Sequence, residues 1–458
     1  MRMSADAVAQ AVGGFVRGSH DVVVSGAEVD SRLIQNGDLF IALPGARVDG
    51  HTFIPTALKR ATAALVRKDV DLPAPPADRA LIEVADPMAA YHQLAAVDCR
   101  RRSWKVATVT GSVGKTTTKD FLAHILETHS VTGRSLGNRN STLGLPAQIL
   151  SQDDDVEIFV AEAGMSSPGE LNILGKILRP DVLLYTRIAP AHTEFFSSME
   201  QVVEAKAELL AHLRTDGVLI INADDPRQKT FAARTEARVL LYGLQEAEAR
   251  LEDLEDLGLE GTRGTLILPS GKAPFQLPLA GLHQAENFLA AAAAAEALGL
   301  QASDIAPRAA TLSAAIHRGN IIELDNDVTL IDDSYNASPE AVKRALELLA
   351  KCSGRRVAVL GEMYELGAAA AAAHYEVGRH AAANCDLLLT VGPILSAALI
   401  DGAVAAGLPP GRIHQVNDSG EATTALEGLI EPGDTVLIKG SRGIGLDHVV
   451  STLSEGMS

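Results

Sequence analysis

Positive charge is what this chain has least of relative to its length. Forty lysines and arginines face 58 aspartates and glutamates over 458 residues, a formal charge of −18. A protein that tracks a nucleic-acid backbone needs the reverse balance, because its affinity comes from neutralising phosphates. Aromatic residues are scarce too, at 4% with one tryptophan, so stacking platforms for single strands are missing. No nucleic-acid partner is expected. Cysteine is rare: Cys99, Cys352 and Cys385 lie far apart without metal-ligand spacing, and an odd count argues against a disulfide framework. A reducing cytoplasm is the expected setting. No apolar run is long enough to span a bilayer, and residues 1–10 lack the apolar stretch of a signal peptide, so no membrane partner is expected. Anionic small molecules remain open, since local glycine loops and single cations can hold phosphates on an acidic protein.

One stretch organises what is present: Val106-Ala107-Thr108-Val109-Thr110-Gly111-Ser112-Val113-Gly114-Lys115-Thr116-Thr117-Thr118. The β-branched run predicts a buried strand, a glycine-rich turn follows, and a helix is expected from near Thr117 to Leu126. Gly111 and Gly114 let backbone N–H groups close on a phosphate with no Cβ in the way, and a helix N-terminus favours negative charge. Lys115 can reach the outer phosphates, and the Thr116 hydroxyl can hold Mg²⁺. Two residues rather than four separate Gly111 from Gly114-Lys115-Thr116, a shortened version of the common phosphate loop. A strand, this turn and a helix in register point to ATP or GTP rather than to a chance glycine turn.

The length allows about two to four domains. The first, residues 1–85, alternates short strands (22–24, 39–43, 63–67, 80–84) with a helix at 51–60, and a boundary is expected near Asp86-Pro87. Its Asp30-Ser31-Arg32, Gly45 and Asp49-Gly50-His51 clusters read equally as a polar pocket or as turn chemistry. The second, residues 86–314, starts with a helix at 88–101 and repeats strands at 158–162, 182–186 and 218–222, the rhythm of a parallel sheet covered on both faces. Ligands of such sheets sit beyond the carboxyl ends of the strands. The candidates there are Glu162, residues 187–192 with Glu194, and Asn222-Ala223-Asp224-Asp225, an oxygen-rich set that suits Mg²⁺. Residues 245–280 break the rhythm with antiparallel strands, and an alanine-rich helix follows from His283. The third domain, residues 315–458, is a second open α/β sheet, with strands at 328–331, 357–360, 386–391 and 435–439. The alanine run 368–373 before His374 carries no assigned chemistry.

These motifs resemble the Mur ligases, the ATP-dependent amide-forming enzymes of peptidoglycan precursor synthesis, along nearly the whole chain. Thr110-Gly111-Ser112-Val113-Gly114-Lys115-Thr116-Thr117 is similar to the family's shortened phosphate loop. Asp30-Ser31-Arg32 with Phe40, Gly45 and Asp49-Gly50-His51-Thr52-Phe53 resembles the UDP-sugar-binding domain shared by the last two enzymes of the series. Gly137-Asn138-Arg139-Asn140-Ser141-Thr142-Leu143-Gly144-Leu145-Pro146, Asp332-Asp333-Ser334-Tyr335-Asn336-Ala337-Ser338-Pro339 and Lys439-Gly440-Ser441-Arg442 resemble the last one. The resemblance implies three α/β domains: an N-terminal UDP-sugar-binding domain, a central phosphate-loop ATPase sheet and a C-terminal Rossmann-like domain. It implies ATP, two Mg²⁺ ions, a UDP-N-acetylmuramoyl-tripeptide substrate and D-alanyl-D-alanine as the incoming amine, in a monomer.

Residue by residue, the resemblance implies that residues 111–117 hold the ATP phosphates, with Lys115 catalytic and Thr116 on the first Mg²⁺. Glu162 and His192 match the family's metal ligands. Lys206 matches the lysine that is carbamylated to serve the second Mg²⁺; on its own it reads as a surface lysine of an amphipathic helix. His283 and Asn287 would face the nucleotide base, and Arg318 and Asp333 the phosphate and ribose. Ser31, Arg32, Gly45, Asp49, His51, Asn138 and Asn140 would meet the UDP-sugar substrate, and Tyr335, Asn336, Ser338, Ser441 and Arg442 the dipeptide. Three positions depart from the family pattern: Gln284, His317 and Ser141 stand where asparagine, glycine and asparagine are usual. The implied chemistry is phosphorylation of a substrate carboxylate to an acyl phosphate, then attack by the amine, with closure of the third domain on the second. The rivals are a sister ligase that adds the third amino acid, and a regulator that has kept the fold without the ligation.

Overall fold

The computed structural model describes residues 1–45, 48–189, 196 and 198–456. Three sheets, one per domain, carry the architecture. In the N-terminal domain, strands Gly26–Glu28, Asp38–Ile41, Ala63–Arg67 and Ala80–Val84 pair in parallel in that order, and Phe15–Gly18 adds an antiparallel edge. The expected helix at 51–60 is shorter and begins as a 3₁₀ turn, Gly50–Phe53, that runs into Ile54–Ala57. Asp49 caps that turn by accepting from the His51 N–H, so the cap chemistry and not periodicity sets where it starts.

The central sheet is all parallel, in the order Arg238–Tyr242, Val218–Asn222, Val182–Tyr185, Lys105–Thr110, Ile158–Glu162, Thr132–Arg134. Strand Lys105–Thr110 comes first in the chain and lies inside the sheet, with later strands laid down on both sides of it. Its carboxyl end is therefore the point where the winding reverses, the position at which open α/β sheets hold ligands. The three-stranded antiparallel ribbon Arg250–Asp256, Thr262–Leu268 and Gly271–Leu277 then leads into the alanine-rich helix Leu282–Ala297. Residues 290–295 of that helix are at most 1% exposed, and it packs beside the phosphate-loop helix Lys115–Leu126. Side chains this small let two helix backbones lie close together.

The C-terminal sheet runs Asn320–Leu324, Val328–Asp332, Thr435–Lys439, Arg356–Gly361, Leu387–Val391, Ile413–Val416, parallel except for its first, antiparallel edge strand. The alanine run opens helix Ala370–Asn384, and His374 is buried beneath it. One ring nitrogen of His374 faces Ala370 O and the other accepts from the Met363 N–H, so this histidine belongs to the fold.

The apolar cores divide the molecule unevenly. One cluster runs without a break from Ala5, Leu65 and Ile82 through Tyr91 and Leu94 to Phe159 and Leu183, which fuses the N-terminal and central domains. The C-terminal sheet has a core on each face, and Ala280 and Leu259 of the central domain reach the first of them. Ion pairs and hydrogen bonds join it to the rest, among them Lys351 with Asp256 and Arg318 with Thr116.

Candidate active site

The phosphate loop sits where the strand order predicts. Thr110 ends the buried strand, Gly111 and Gly114 take positive φ of 148° and 87°, and the helix begins at Lys115, two residues earlier than expected. A Cβ on Gly111 would lie 2.0 Å from Thr186 Oγ1, and one on Gly114 2.4 Å from Asn287 Oδ1, so neither position admits a side chain. The Ser112 and Val113 N–H groups both donate to Arg187 O, at 2.8 and 3.3 Å. These two residues therefore brace the turn through their backbone. The amides that start the helix, at Lys115, Thr116 and Thr117, have no partner within it and are the anion-binding set.

Around the loop lies a cleft of about 490 Å³ built from the central and C-terminal domains. It brings together residues 111–117, Asn138, Asn140, Glu162, Lys206, His283, Asn287, Arg318, Asp333, Tyr335, Asn336, Ser338, Ser441 and Arg442. Lys115 is half-buried at the turn, with Nζ 3.1 Å from Ser112 O, and desolvation pulls its pKa down against the opposing pull of Glu162. Glu162 ends its strand at 2% exposure. Asn140 Nδ2 donates to Glu162 Oε1 at 2.6 Å, and the Ser135 hydroxyl accepts from the Glu162 N–H. Its second oxygen, Oε2, is buried with no hydrogen-bond partner among the described residues. A carboxylate oxygen left bare in a polar cleft is a place for a cation, and the hard oxygen donors of Glu162 and Thr116 fit Mg²⁺.

Lys206 is no surface lysine. It is 4% exposed, donates from Nζ to Gly111 O at 2.8 Å, and its pKa is driven well below the usual value by burial and then by the neighbouring Lys115. Burial thus works against the ammonium and in favour of the neutral, nucleophilic amine. His283 is held neutral, its pKa lowered from 6.5 to about 4 chiefly by desolvation. Asn287 Oδ1 lies 3.3 Å from the Thr118 hydroxyl, which ties the alanine-rich helix to the phosphate-loop helix.

The C-terminal domain supplies the opposite wall. Arg318 reaches across to Thr116 Oγ1 at 3.4 Å and stacks on Tyr335, 4.3 Å from the ring centre; Arg442 approaches the same ring at 5.7 Å. Lys439, which opens the Lys439–Arg442 motif but carries no expected role, is 3% exposed and pairs with Asp333 Oδ2 at 2.6 Å while donating to Asn336 O. It fixes the two residues expected to face ligand. The Ser441 hydroxyl accepts from the Tyr364 N–H and is thereby oriented. Arg187, Glu286 and Arg344 also line the cleft. Arg187 is one of the strand-end candidates, whereas no motif marks Glu286 or Arg344, and only their places on cleft-facing helix turns could have found them.

Several sequence candidates fall elsewhere. Ser31, Arg32, Gly45, Asp49 and His51 lie in the N-terminal domain, outside this cleft. His51 is buried, with Nδ1 bonded to Asp49 Oδ1 at 2.6 Å and Nε2 accepting from the Arg67 N–H, so both ring nitrogens are engaged by the fold. Arg32 is exposed and forks onto Asp30. In both clusters turn chemistry accounts for the polar pairs. Asp225 likewise spends its carboxylate on the Ile188 and Arg227 N–H groups. His192 and Glu194 lie outside the described residues. Among the described residues no group of three or more His, Cys, Asp or Glu is arranged to hold a metal, and no helix is long and apolar enough to cross a membrane.

Known proteins show the same arrangement. The Mur ligase family catalytic domain matches residues 23–98, the Mur ligase middle domain 109–295, and the Mur ligase glutamate ligase domain 317–442. The chain is 33% identical over 438 residues to the UDP-N-acetylmuramoyl-tripeptide–D-alanyl-D-alanine ligase of Bacillus subtilis, covering 94% of each. A crystal structure of MurF from Acinetobacter baumannii superposes with a TM-score of 0.90 at 29% identity, covering 99% of both chains. The MurF ligase of Thermotoga maritima, solved with ADP, gives 0.82 at 27% identity over 95% of this chain and 98% of that one. A phosphate loop at the winding reversal, an orphaned carboxylate beside it, and this likeness over the full length lead to one conclusion: the chain belongs to the Mur ligase family.

Proposed function

We propose that this protein joins D-alanyl-D-alanine to UDP-N-acetylmuramoyl-tripeptide, converting ATP to ADP and phosphate. One observation carries the reading: a phosphate loop from the central domain and the Asp333–Ser338 and Lys439–Arg442 segments of the C-terminal domain line a single cleft. A nucleotide on the loop and an amine on the opposite wall would meet there. The tripeptide carboxylate oxygen attacks the γ-phosphorus and the bond to the ADP oxygen breaks, giving an acyl phosphate. The dipeptide amine then attacks the acyl carbon, phosphate leaves, and the amide remains. Placing three substrates in one cleft is worth several kcal/mol, about 7 or more in well-oriented cases.

In this reading Lys115 and the helix-start amides hold the β- and γ-phosphates, and Arg318 contributes charge from the far wall. Thr116, Glu162, His192 and a carbamylated Lys206 are the Mg²⁺ ligands. The bare Oε2 of Glu162 and the depressed pKa of Lys206, whose neutral amine can add to CO₂, support that set. Bound Mg²⁺ would neutralise charge on the transferring phosphoryl group. His283 and Asn287 face the base, Asp333 the ribose, and Tyr335, Asn336, Ser338, Ser441 and Arg442 the dipeptide. The domains are assigned as residues 1–85, 86–314 and 315–458, with the sugar-peptide substrate held by Ser31, Arg32, Gly45, Asp49, His51, Asn138 and Asn140. A cytoplasmic monomer fits a soluble nucleotide substrate.

The test is phosphate release from ATP with UDP-N-acetylmuramoyl-tripeptide, with and without D-alanyl-D-alanine, alongside Lys206→Ala. Release that needs both substrates and falls in the variant by at least roughly a hundredfold is expected. Release indifferent to the dipeptide would turn the assignment toward a sister ligase.

A further inference from the structure

Two arginines and two glutamates meet where the central and C-terminal domains face each other. Arg187 follows the central strand Val182–Tyr185, and Glu286 projects from the alanine-rich helix. Glu340 and Arg344 lie one turn apart on the C-terminal helix Pro339–Leu349. Arg187 Nη1 is 3.3 Å from Glu340 Oε1, and its Nη2 is 3.5 Å from Glu286 Oε1. Arg344 Nη1 is 2.7 Å from Glu286 Oε2, and its Nε is 3.4 Å from Glu340 Oε1. Charge therefore alternates around a closed ring, with two edges inside domains and two crossing between them. All four side chains are half-buried. A single exposed pair would count for little, but here each charge is countered from two sides in a partly desolvated wall.

The backbone of Arg187 makes the ring more than an adhesive. Its carbonyl is the acceptor for the Ser112 and Val113 N–H groups, so the residue that grips Glu340 also forms the outer rim of the phosphate loop. Its Nε is buried with no partner among the described residues, so the side chain is held by its terminal nitrogens alone.

Resting on the ligase reading above, we propose that the ring Arg187–Glu286–Arg344–Glu340 sets the register of the C-terminal domain against the phosphate loop. Arg187 is a positioning residue: its side chain senses the seat of the amine-carrying domain while its carbonyl shapes the loop that holds the acyl donor's phosphate. Seating the domain and aligning the two reacting groups become one event, so mis-seated closure does not place the amine at the acyl phosphate.

Charge inversion in the full-length protein tests this. Arg187→Glu with Glu286→Arg sets like charges against each other across the boundary, and Glu340→Arg with Arg344→Glu does so from the other side. The quadruple variant restores alternation with every sign reversed. Each double variant is expected to lower kcat for dipeptide-dependent phosphate release by roughly tenfold or more. The parent is expected to compact in small-angle scattering when a non-hydrolysable ATP analogue and Mg²⁺ are added, and each double variant should lose that compaction. The quadruple variant should regain that compaction and return to within about threefold of the parent kcat. Doubles that keep the parent's kcat and compaction overturn the proposal. So does a quadruple no better than the doubles while its thermal unfolding matches the parent's. If the quadruple does not fold, Arg187→Lys should retain more kcat than Arg187→Met at equal thermal stability, and equal loss overturns the proposal. A parent inactive with both substrates would refute the ligase reading, and the compaction series would still decide the role of the ring.

Discussion

At the scale of single residues, burial decides which side chains of a motif remain free for ligand. Glu162 and Lys206 are both almost fully buried, and both stand beside the phosphate loop. Lys206 shows why part of the site was legible only through the resemblance and not from the residues themselves. Its helix, Met199–Ala207, has the amphipathic spacing of a surface element, and only the tertiary contact with Gly111 O reveals that the lysine points inward. Glu162 was legible because it ends a strand in a parallel sheet, where position alone implies a ligand-facing role. His51 marks a different limit: its turn reads equally as a pocket or as turn chemistry, and only the tertiary contact with the Arg67 N–H shows that the fold engages both its nitrogens. His283 carries a prediction. Its pKa falls from 6.5 to about 4 on folding, so between those values the unfolded chain binds more protons than the native one. The stability that depends on neutral His283 is whole above pH 6.5 and is lost as pH drops toward 4. Urea midpoints at pH 7 and pH 4.5 should show a smaller drop for His283→Gln than for the parent, by on the order of 2 kcal/mol.

Among elements, the strands that were easiest to find are those buried on both faces. Residues 63–67, 80–84, 158–162, 218–222 and 435–439 are runs whose polar residues lie at an end, or at Glu83 one place from it, and they form strands with those same limits. Thr132–Arg134, Arg238–Tyr242 and Asn320–Leu324 escaped notice, because each lies at a sheet edge and mixes polar residues into a short run. The phosphate loop was legible from its glycines, whereas the use of the Ser112 and Val113 amides was not, since it depends on a carbonyl some 75 residues away in the chain. Gly111 is the element's most constrained point. Gly111→Ala sets a methyl group against Thr186 at an unfavourable φ, and should cost about 1–3 kcal/mol in urea unfolding. ADP titration of the same variant should show affinity reduced by roughly tenfold or more, because the turn can relieve the clash only by moving its amides.

Over the whole molecule, the distribution of core makes two bodies out of three domains. The N-terminal and central sheets share one large apolar cluster, whereas the C-terminal sheet meets them mainly through polar groups, with Ala280 and Leu259 the central-domain residues that reach its core. The connection passes Ile316, 77% exposed, and His317, held at a φ of 63° with Nδ1 2.7 Å from Asp332. Limited proteolysis should therefore cut first between residues 312 and 319, releasing the C-terminal body intact, and an ATP analogue with Mg²⁺ should slow that cut several-fold. A first cut between the N-terminal and central domains would contradict the shared core. Inside the larger body, His283 and Lys115 sit on two helices, one of which is mostly alanine over residues 290–295. An alanine has no rotamers to choose among. Apart from the Asn287–Thr118 contact, the gap between those helices is thus gauged largely by methyl groups and backbone, and warming the protein gives that gauge few new settings to explore.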